Sequence, residues 1–332
     1  TMINGASATK VLGQTNFTNY SAATTQSRMD EPLSLSYDTV SQQLFLADRG
    51  NNRVTVYNAT STIINGSNAI DLIGQYTQND GVTPSYTTGN ADDNPYLYGL
   101  YNPRGSVIDS VNHRLFAVDD GNNRVLVFNL NASNQLVDRT PDYVLGQSNF
   151  SESLHGATSA LIHWPTGVAY DNVNNRLFLV DSGNNRVLIY DVTSITNGES
   201  AVAVLGQTNF TNTSALITQA GMYLPDSIAY DSVNQRLFVT QAAANRVTVY
   251  NATSTIINGA SAVAVLGQVN FTNSGFAATQ AGVNYPTDVV YDGLNQRLFV
   301  SDGGNNRVTV YNATSTIING AGAVAVLGQI NF

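Results

Sequence analysis

The chain repeats one sequence unit five times, and this repetition limits its fold more than any other feature. The tripeptide Asn-Arg-Val recurs with its arginine at Arg53, Arg124, Arg186, Arg246 and Arg307. The spacings between these arginines are 71, 62, 60 and 61 residues. A unit of this length forms one small module that cannot bury its faces alone, so neighbouring modules must stack. The sequence therefore predicts a repeat architecture.

Each unit reads as four short β-strands. In the third unit, the segments 165–171, 175–181, 185–190 and 201–205 are rich in β-branched and aromatic residues, and Asn, Asp, Gly or Pro bounds each of them. No segment of helical length shows a sustained apolar period of 3.6 residues. Four strands per unit at a fixed spacing are typical of a β-propeller. We therefore predict an all-β fold built from four-stranded antiparallel blades.

The number of blades follows from the prolines that open the first strands. These are Pro32, Pro103, Pro165, Pro225 and Pro286. We place the repeats at about 15–75, 76–147, 148–207, 208–268 and 269–329, all within one domain that covers residues 1–332. Residues 1–14 match the end of a repeat and predict a spare outer strand over 8–14. The prediction is five blades plus this N-terminal strand, with six blades as the alternative.

The spare strand has alternative roles that the sequence leaves open. It pads a blade of its own ring, or the chain is cut from a longer array of repeats. In the third alternative it adds to the open blade edge of a neighbouring molecule. Repeated head to tail, such a contact produces an open filament.

Three motifs of the unit point to a known family. Pro-x-Gly-Val-Ala-Tyr-Asp begins at Pro165, an Arg-Leu-Phe segment follows at Arg176, and Asp-x-Gly-Asn-Asn-Arg-Val begins at Asp181. Together they resemble the NHL-repeat family of β-propellers, and the resemblance covers nearly the whole chain. It implies a ring of four-stranded blades, usually six, with roles mostly in binding. The fourth unit departs from the pattern, because residues 240–244 read Thr-Gln-Ala-Ala-Ala in place of the acidic turn.

Composition excludes several classes of function. Only 11% of residues are charged, and 14 basic against 23 acidic residues give a net charge of −9, so a nucleic-acid partner is not expected. The chain has no Cys, which excludes disulfides, thiol catalysis and thiolate metal sites. Its longest apolar runs have the length of a strand, so no membrane span is expected.

Recurring charged residues have a structural interpretation. Aspartates end most second strands, and an arginine follows each of them five residues later. We interpret these residues as ion pairs that brace the turn. They are Asp48 with Arg53, Asp119 with Arg124, Asp181 with Arg186, and Asp302 with Arg307. In the fourth unit Thr240 stands in place of the Asp, so Arg246 has no Asp partner. The turns lack the carboxylates of a dedicated calcium loop.

No catalytic set emerges from the remaining residues. The histidines His113, His155 and His163 share no repeat phase, so they predict no metal site. There is no Gly-x-Ser-x-Gly motif, and the three glutamates are isolated in the sequence. We therefore expect no enzymatic activity, no metal and no cofactor.

Residues beside the first-strand prolines vary most among the units. They should ring one mouth of the central channel, where Arg104, Trp164 and Asp226 are the best candidates for a ligand site. The competing interpretation is ordinary sequence variation of loops around a packed Trp.

Eleven Asn-x-Ser/Thr sequons fall in the connections between strands. These candidate N-glycosylation sites are Asn16, Asn19, Asn58, Asn65, Asn131, Asn149, Asn209, Asn212, Asn251, Asn270 and Asn312.

These observations favour a non-enzymatic scaffold that is extracellular or at a cell surface. In its sharper form it is a glycosylated filament or surface-assembly subunit joined through terminal strands, and its partners are other copies of itself, surface proteins or glycans. The alternative is a carbohydrate- or peptide-binding propeller. A hydrolase or lyase at the channel mouth is the least favoured hypothesis.

Overall fold

The computed structural model describes residues 4–60, 63–78, 81–90, 96–253, 255–314 and 316–332. They form five separate sheets, each with four antiparallel strands in chain order, so the predicted five-bladed all-β fold is confirmed. None of the described residues belongs to a helix long and apolar enough to cross a membrane.

The strands of each blade run from the central channel outwards. The first blade contains β1 (Pro32–Asp38), β2 (Gln43–Asp48), β3 (Arg53–Asn58) and β4 (Asp71–Ile73). The second contains β5 (Pro103–Asp109), β6 (Arg114–Asp119), β7 (Arg124–Asn129) and β8 (Tyr143–Leu145). The third contains β9 (Pro165–Asp171), β10 (Arg176–Asp181), β11 (Arg186–Asp191) and β12 (Ala203–Leu205). The fourth contains β13 (Pro225–Asp231), β14 (Arg236–Gln241), β15 (Arg246–Asn251) and β16 (Ala264–Leu266). The fifth contains β17 (Pro286–Asp292), β18 (Arg297–Asp302), β19 (Arg307–Asn312) and β20 (Ala325–Leu327).

The turn between the second and third strands explains the repeated Asn-Asn-Arg motif. In the third blade, residues 182–184 form a single 3-10 turn, and Asn185 ends it with a φ of 54°. Asn tolerates this left-handed conformation better than most residues. The turn returns the chain into β11, which pairs with β10 from Asp181 opposite Arg186 to Arg176 opposite Asp191.

The core lies between blades rather than within one. Phe178 and Val187 of the third blade pack against Leu237 and Val239 of the fourth, and all four side chains are buried. Similar apolar clusters join the first blade to the second, the second to the third and the fourth to the fifth. Burial between blades is what requires several repeats to fold together.

A two-bond contact links the outer strands of neighbouring blades, and we name it the Asn-Gly clasp. The side chain of Asn258 accepts a hydrogen bond from the backbone N–H of Val204, and the N–H of Gly259 donates to the carbonyl of the same valine. The third blade is thereby held by a loop of the fourth. The same clasp joins Val144 to Asn197 and Val265 to Asn319.

The predicted strand at residues 8–14 is not formed. The structure describes these residues as irregular backbone. A strand requires a neighbour that completes its hydrogen bonds, and no third strand lies beside this segment among the described residues. The interpretation of residues 8–14 as a spare strand is therefore wrong for the secondary structure, although the segment is ordered against the ring as described below.

Candidate functional site

One residue before each inner strand has a left-handed backbone conformation and lies at the same mouth of the channel. These five residues, with φ between 46° and 52°, are Glu31, Asn102, Trp164, Leu224 and Tyr285. A large side chain in this conformation costs on the order of 1–3 kcal/mol. Backbone strain that recurs at one position therefore has to be held by surrounding contacts.

A side chain from the preceding blade holds the strained residue in place. The Oδ1 atom of Asn123 accepts a hydrogen bond from the N–H of Trp164 at 3.0 Å. Asn185 does the same for Leu224 at 2.8 Å, although the two residues are far apart in sequence. The repeated asparagine thus fixes both the turn of its own blade and the mouth residue of the next blade.

Trp164 presents an exposed aromatic surface at this mouth. Its side chain is 58% exposed, and its ring lies 4.5 Å from that of His163, which stacks at 4.7 Å on His155. Burial and the neighbouring His155 lower the pKa of His163 below its usual value, which favours the neutral form of the ring that packs on Trp164. It supports one face of Trp164 and leaves the rest of the ring open to a ligand.

Arg104 crosses the channel and connects two blades. Its guanidinium donates to Asp120 of its own blade at 2.9 Å and to Asp226 of the fourth blade at 3.0 Å. A cavity of about 410 Å³ is lined by Arg104, Asp120, Trp164 and Asp226. The structure therefore brings the three mouth residues singled out in the sequence to one cavity.

Two further carboxyl groups belong to this mouth and were not singled out from the sequence. Burial raises the pKa of Asp120 to about 6, although Arg104 opposes the shift. Burial also raises the pKa of Asp288, which accepts a 2.6 Å hydrogen bond from the hydroxyl of Ser227. A signal existed for Asp288, because Ser or Gly takes its place in the other four units.

The acidic mouth does not have the geometry of a metal centre. Among the described residues, no group of three or more His, Cys, Asp or Glu side chains is placed to hold a metal ion. His113 is distant from the other two histidines and hydrogen-bonds Asn134. The mouth carboxyl groups are instead engaged by Arg104 and Ser227.

The recurring Asp and Arg residues lie inside the blades, away from the mouth cavity. Arg186 donates to the carboxylate of Asp181 at 2.6 Å, and both side chains are fully buried. Its other nitrogens donate to the backbone carbonyls of Thr158, Leu161 and Phe210. Equivalent pairs are Asp48 with Arg53, Asp119 with Arg124 and Asp302 with Arg307. Each arginine therefore ties the irregular connections to a blade.

In the fourth unit Gln241, and not Thr240, takes the position of the aspartate and is the partner of Arg246. The strand register places Gln241 opposite Arg246, and its side-chain oxygen accepts two hydrogen bonds from that arginine, at 3.1 and 2.9 Å. Gln241 also donates to the hydroxyl of Thr248. A neutral amide thus replaces the carboxylate without leaving the buried guanidinium unsatisfied.

A second set of buried ion pairs was missed in the sequence. Asp171 accepts from Arg176 at 2.6 Å, and Asp109 with Arg114 and Asp231 with Arg236 repeat the contact. Each arginine also reaches a backbone carbonyl of the next blade, such as that of Ala252 for Arg176. The fixed spacing of five residues between Asp and Arg was the signal that could have revealed them.

Most sequon asparagines lie on the surface of the described residues. Nine of the eleven are exposed, and Asn65 and Asn149 are partly buried. Asn65 is also engaged, because its Oδ1 accepts from the N–H of Val11 at 3.1 Å. At Asn209 the side-chain oxygen accepts from both the N–H and the hydroxyl of Thr211, which defines a tight local turn.

Comparison with known proteins gives a family match for one blade. A family model described as the NHL repeat matches residues 163–190, which cover β9, β10 and all of β11 except its last residue. No curated protein matches the chain. Among solved structures the chain is similar to one described as the crystal structure of a nidogen/laminin complex, with a TM-score of 0.51 and 15% identity over 91% of this chain and 87% of that chain. That likeness concerns the fold alone. Together with the five sheets described above, these findings identify the chain as a five-bladed β-propeller that carries an NHL repeat.

Proposed function

We propose that this propeller is a non-catalytic interaction scaffold that binds a protein segment at the mouth of its channel. The observation that carries the proposal is the exposed Trp164 on its stacked histidines, beside the partly buried carboxyl group of Asp226. Exposed aromatic residues next to polar anchors are typical of binding hot spots. The similar solved structure is of a propeller protein in a protein–protein complex, which agrees with such a role.

The charge of the mouth indicates what the bound segment carries. Arg49 and Arg104 face the carboxyl groups of Asp120, Asp226 and Asp288 around the channel. The acidic groups exceed the basic ones, and burial strengthens their interaction with a cation. We therefore expect a segment with a Lys or Arg side chain that reaches the acidic groups and an adjacent apolar residue that packs on Trp164.

A peptide selection tests this proposal. Random 12-residue peptides displayed on phage would be selected on the immobilised chain, and enriched peptides are expected to carry Lys or Arg next to an apolar residue. Trp164→Ala and Asp226→Asn should each weaken binding of these peptides by about tenfold or more. Leu294→Ala is the matched control, because Leu294 is 92% exposed in a turn at the other end of β17.

Two results would contradict the proposal. One is a selection that enriches no peptide family. The other is a set of peptides that bind the Trp164→Ala variant and the Leu294→Ala variant equally well. If the chain binds glycans on an array and only the Trp164→Ala variant loses that binding, the carbohydrate-binding alternative is favoured over the peptide-binding proposal.

We also propose that the scaffold is extracellular or at a cell surface and carries N-linked glycans. The support is the exposure of sequons on a surface with few charges, since glycans would keep such a surface soluble. Protein secreted from a glycosylating host should lose mass on enzymatic removal of N-glycans, and an unchanged intact mass would contradict the proposal. Self-association into filaments through terminal strands stays a prediction on which the scaffold proposal does not depend.

A further inference from the structure

The junction between the fifth and first blades differs from the other four. At each of the four, the inner strands of neighbouring blades pack side by side, as β9 does on β13. The strands β17 and β1, both fully described, do not pack together in this way. The ring of five blades is therefore open at one place.

Side chains on both walls of this opening are exposed although their equivalents are buried. On the first blade, Leu35 is 57% exposed, whereas Ile228 at the same repeat position is 5% exposed. On the fifth blade, Val290 is 54% exposed. Phe299 is only partly buried, although the equivalent Phe178 is completely buried between two blades. The walls thus have the apolar surface of a blade interface without a blade between them.

The N-terminal residues lie along the outer rim of the opening and are clasped on both sides. The Oδ1 of Asn4 accepts from the N–H of Val326 at 3.0 Å, and the N–H of Gly5 donates to the carbonyl of Val326. At the other side, the N–H of Val11 donates to Asn65. These are the Asn-Gly clasps that join consecutive blades elsewhere. Residues 4–14 therefore occupy the position of an outer strand in a further blade.

Polar groups of this segment lack the partners that a blade would supply. The side-chain nitrogen of Gln207 donates to the carbonyls of Ser214 and Asn185, the latter at the start of its own third strand. The equivalent Gln14 donates to Ser21 alone, and its buried Oε1 has no partner among the described residues. A third strand beside residues 11–14 would supply a second carbonyl to the side-chain nitrogen of Gln14, as Asn185 does for Gln207.

Inside the rim lies an apolar cavity that is continuous with the opening. Its volume is about 480 Å³, and Leu12, Met29, Leu33, Leu35 and Leu46 line it. Gly13 lies against Met29 as Gly206 lies against Met222 in a complete blade. The N-terminal segment therefore lies where an outer strand lies in a complete blade. The space on its channel side is not filled by any of the described residues.

We propose that this opening, the sixth-blade slot, is a docking site for the three inner strands of a further repeat of the same sequence type. The outer strand is already supplied by residues 4–14, so the occupant needs three strands and not four. A second copy of the chain fits poorly, because each of its sheets already carries an outer strand that would collide with residues 4–14. Completion of a sheet by strands from separate segments is a general mode of recognition.

The side chains on each face of the occupant follow from the sequence of the repeat. Its first two strands would carry the motifs of β17 and β18, with one face of Leu and Tyr side chains against Val290 and Phe299 of the fifth blade. Its other face, with Val and Phe side chains, would cover Leu35 and Tyr37 of the first blade. Its third strand would pair with residues 11 and 12 as β11 pairs with β12.

The test uses the whole chain with a second copy of residues 272–312 appended after Phe332, which is equivalent to Phe271. Because the chain has no Cys, Val290→Cys introduces a single thiol in the slot and Leu294→Cys introduces one outside it. We expect the appended copy to lower the rate of thiol labelling at Val290→Cys by tenfold or more and to leave the Leu294→Cys rate unchanged. The midpoint of thermal unfolding should rise by about 5 °C or more.

A matched control separates docking from the mere presence of extra residues. An appended copy in which the residues corresponding to Leu298 and Val300 are replaced by Asp should give neither protection nor a higher unfolding midpoint. Equal labelling rates with and without the intact copy would overturn the proposal. So would protection of Val290→Cys in the original chain through concentration-dependent dimers, detected by light scattering, because the occupant would then be a second copy.

Discussion

Five arginines at one repeat position show how a buried charge is tolerated in this fold. Arg186 is fully buried and donates to the Asp181 carboxylate and to three backbone carbonyls. A buried guanidinium is stable only when its donors are satisfied. Arg246 meets the same requirement with the amide of Gln241, which shows that a neutral acceptor can replace the carboxylate at this position.

This comparison predicts the effects of two substitutions at Asp181. Asp181→Ala leaves Arg186 buried without its partner and should lower the free energy of unfolding by about 3–5 kcal/mol. Asp181→Gln should cost clearly less, because the amide oxygen can accept from Arg186 as Gln241 does from Arg246. Denaturant unfolding of the two variants measures the difference, and equal losses would show that the ion pair itself, not the acceptor, is required.

The sequence predicted the residues of the mouth better than their contacts. Arg104, Trp164 and Asp226 stood out because they vary beside an otherwise constant proline. The partnership of Arg104 with Asp226 could not be predicted, since it joins residues 122 positions apart across the channel. Asp120 was missed because only the folded ring shows that its carboxyl group is buried beside Arg104.

At the scale of the element, most strands could be predicted because turn and strand signals recur together in every unit. The predicted strand 165–171 coincides with β9, and the predicted strand 201–205 shortens to residues 203–205. Residues 8–14 carry the sequence of an outer strand and form none. Strand formation depends on a neighbouring strand as well as on propensity. The sequence of residues 8–14 matches that of an outer strand but does not reveal whether a third strand lies beside it.

The difference between closed and open blade junctions gives a second prediction. Phe178→Ala removes a side chain buried between two blades and should cost about 3–5 kcal/mol of unfolding free energy. Phe299→Ala makes the same change at the equivalent position of the fifth blade, which faces the sixth-blade slot, and should cost less than about 2 kcal/mol. Denaturant unfolding compares the two, and similar losses would mean that Phe299 is covered in solution.

At the scale of the whole molecule, the second set of ion pairs makes stability depend on pH. Burial by itself would raise the pKa of Asp171, but hydrogen bonds from Asn174 and Arg176 outweigh it and the pKa is lowered. Asp109 and Asp231 behave in the same way. A lowered pKa in the folded state stabilises the fold above the unfolded value of about 3.9. That contribution is lost as the pH falls through the folded value.

The prediction is a steep loss of stability on acidification. The thermal unfolding midpoint should fall between about pH 4 and about pH 2, where the unfolded chain binds protons more readily than the folded one. Asp171→Asn should be less stable at neutral pH and show a smaller decrease on acidification. Calorimetry across this range checks both, and an unchanged slope in Asp171→Asn would assign the acid sensitivity to other carboxyl groups.

The Asn-Gly clasp has a direction, and this direction orders how the molecule is assembled. Between complete blades that it joins, the loop that binds belongs to the later blade and the strand that it binds belongs to the earlier one. The strand is therefore translated before the loop that holds it. Asn4 reverses the order, because it precedes its partner Val326 by 322 residues in the chain. The hydrogen bond between them therefore cannot form until the outer strand of the fifth blade has been translated.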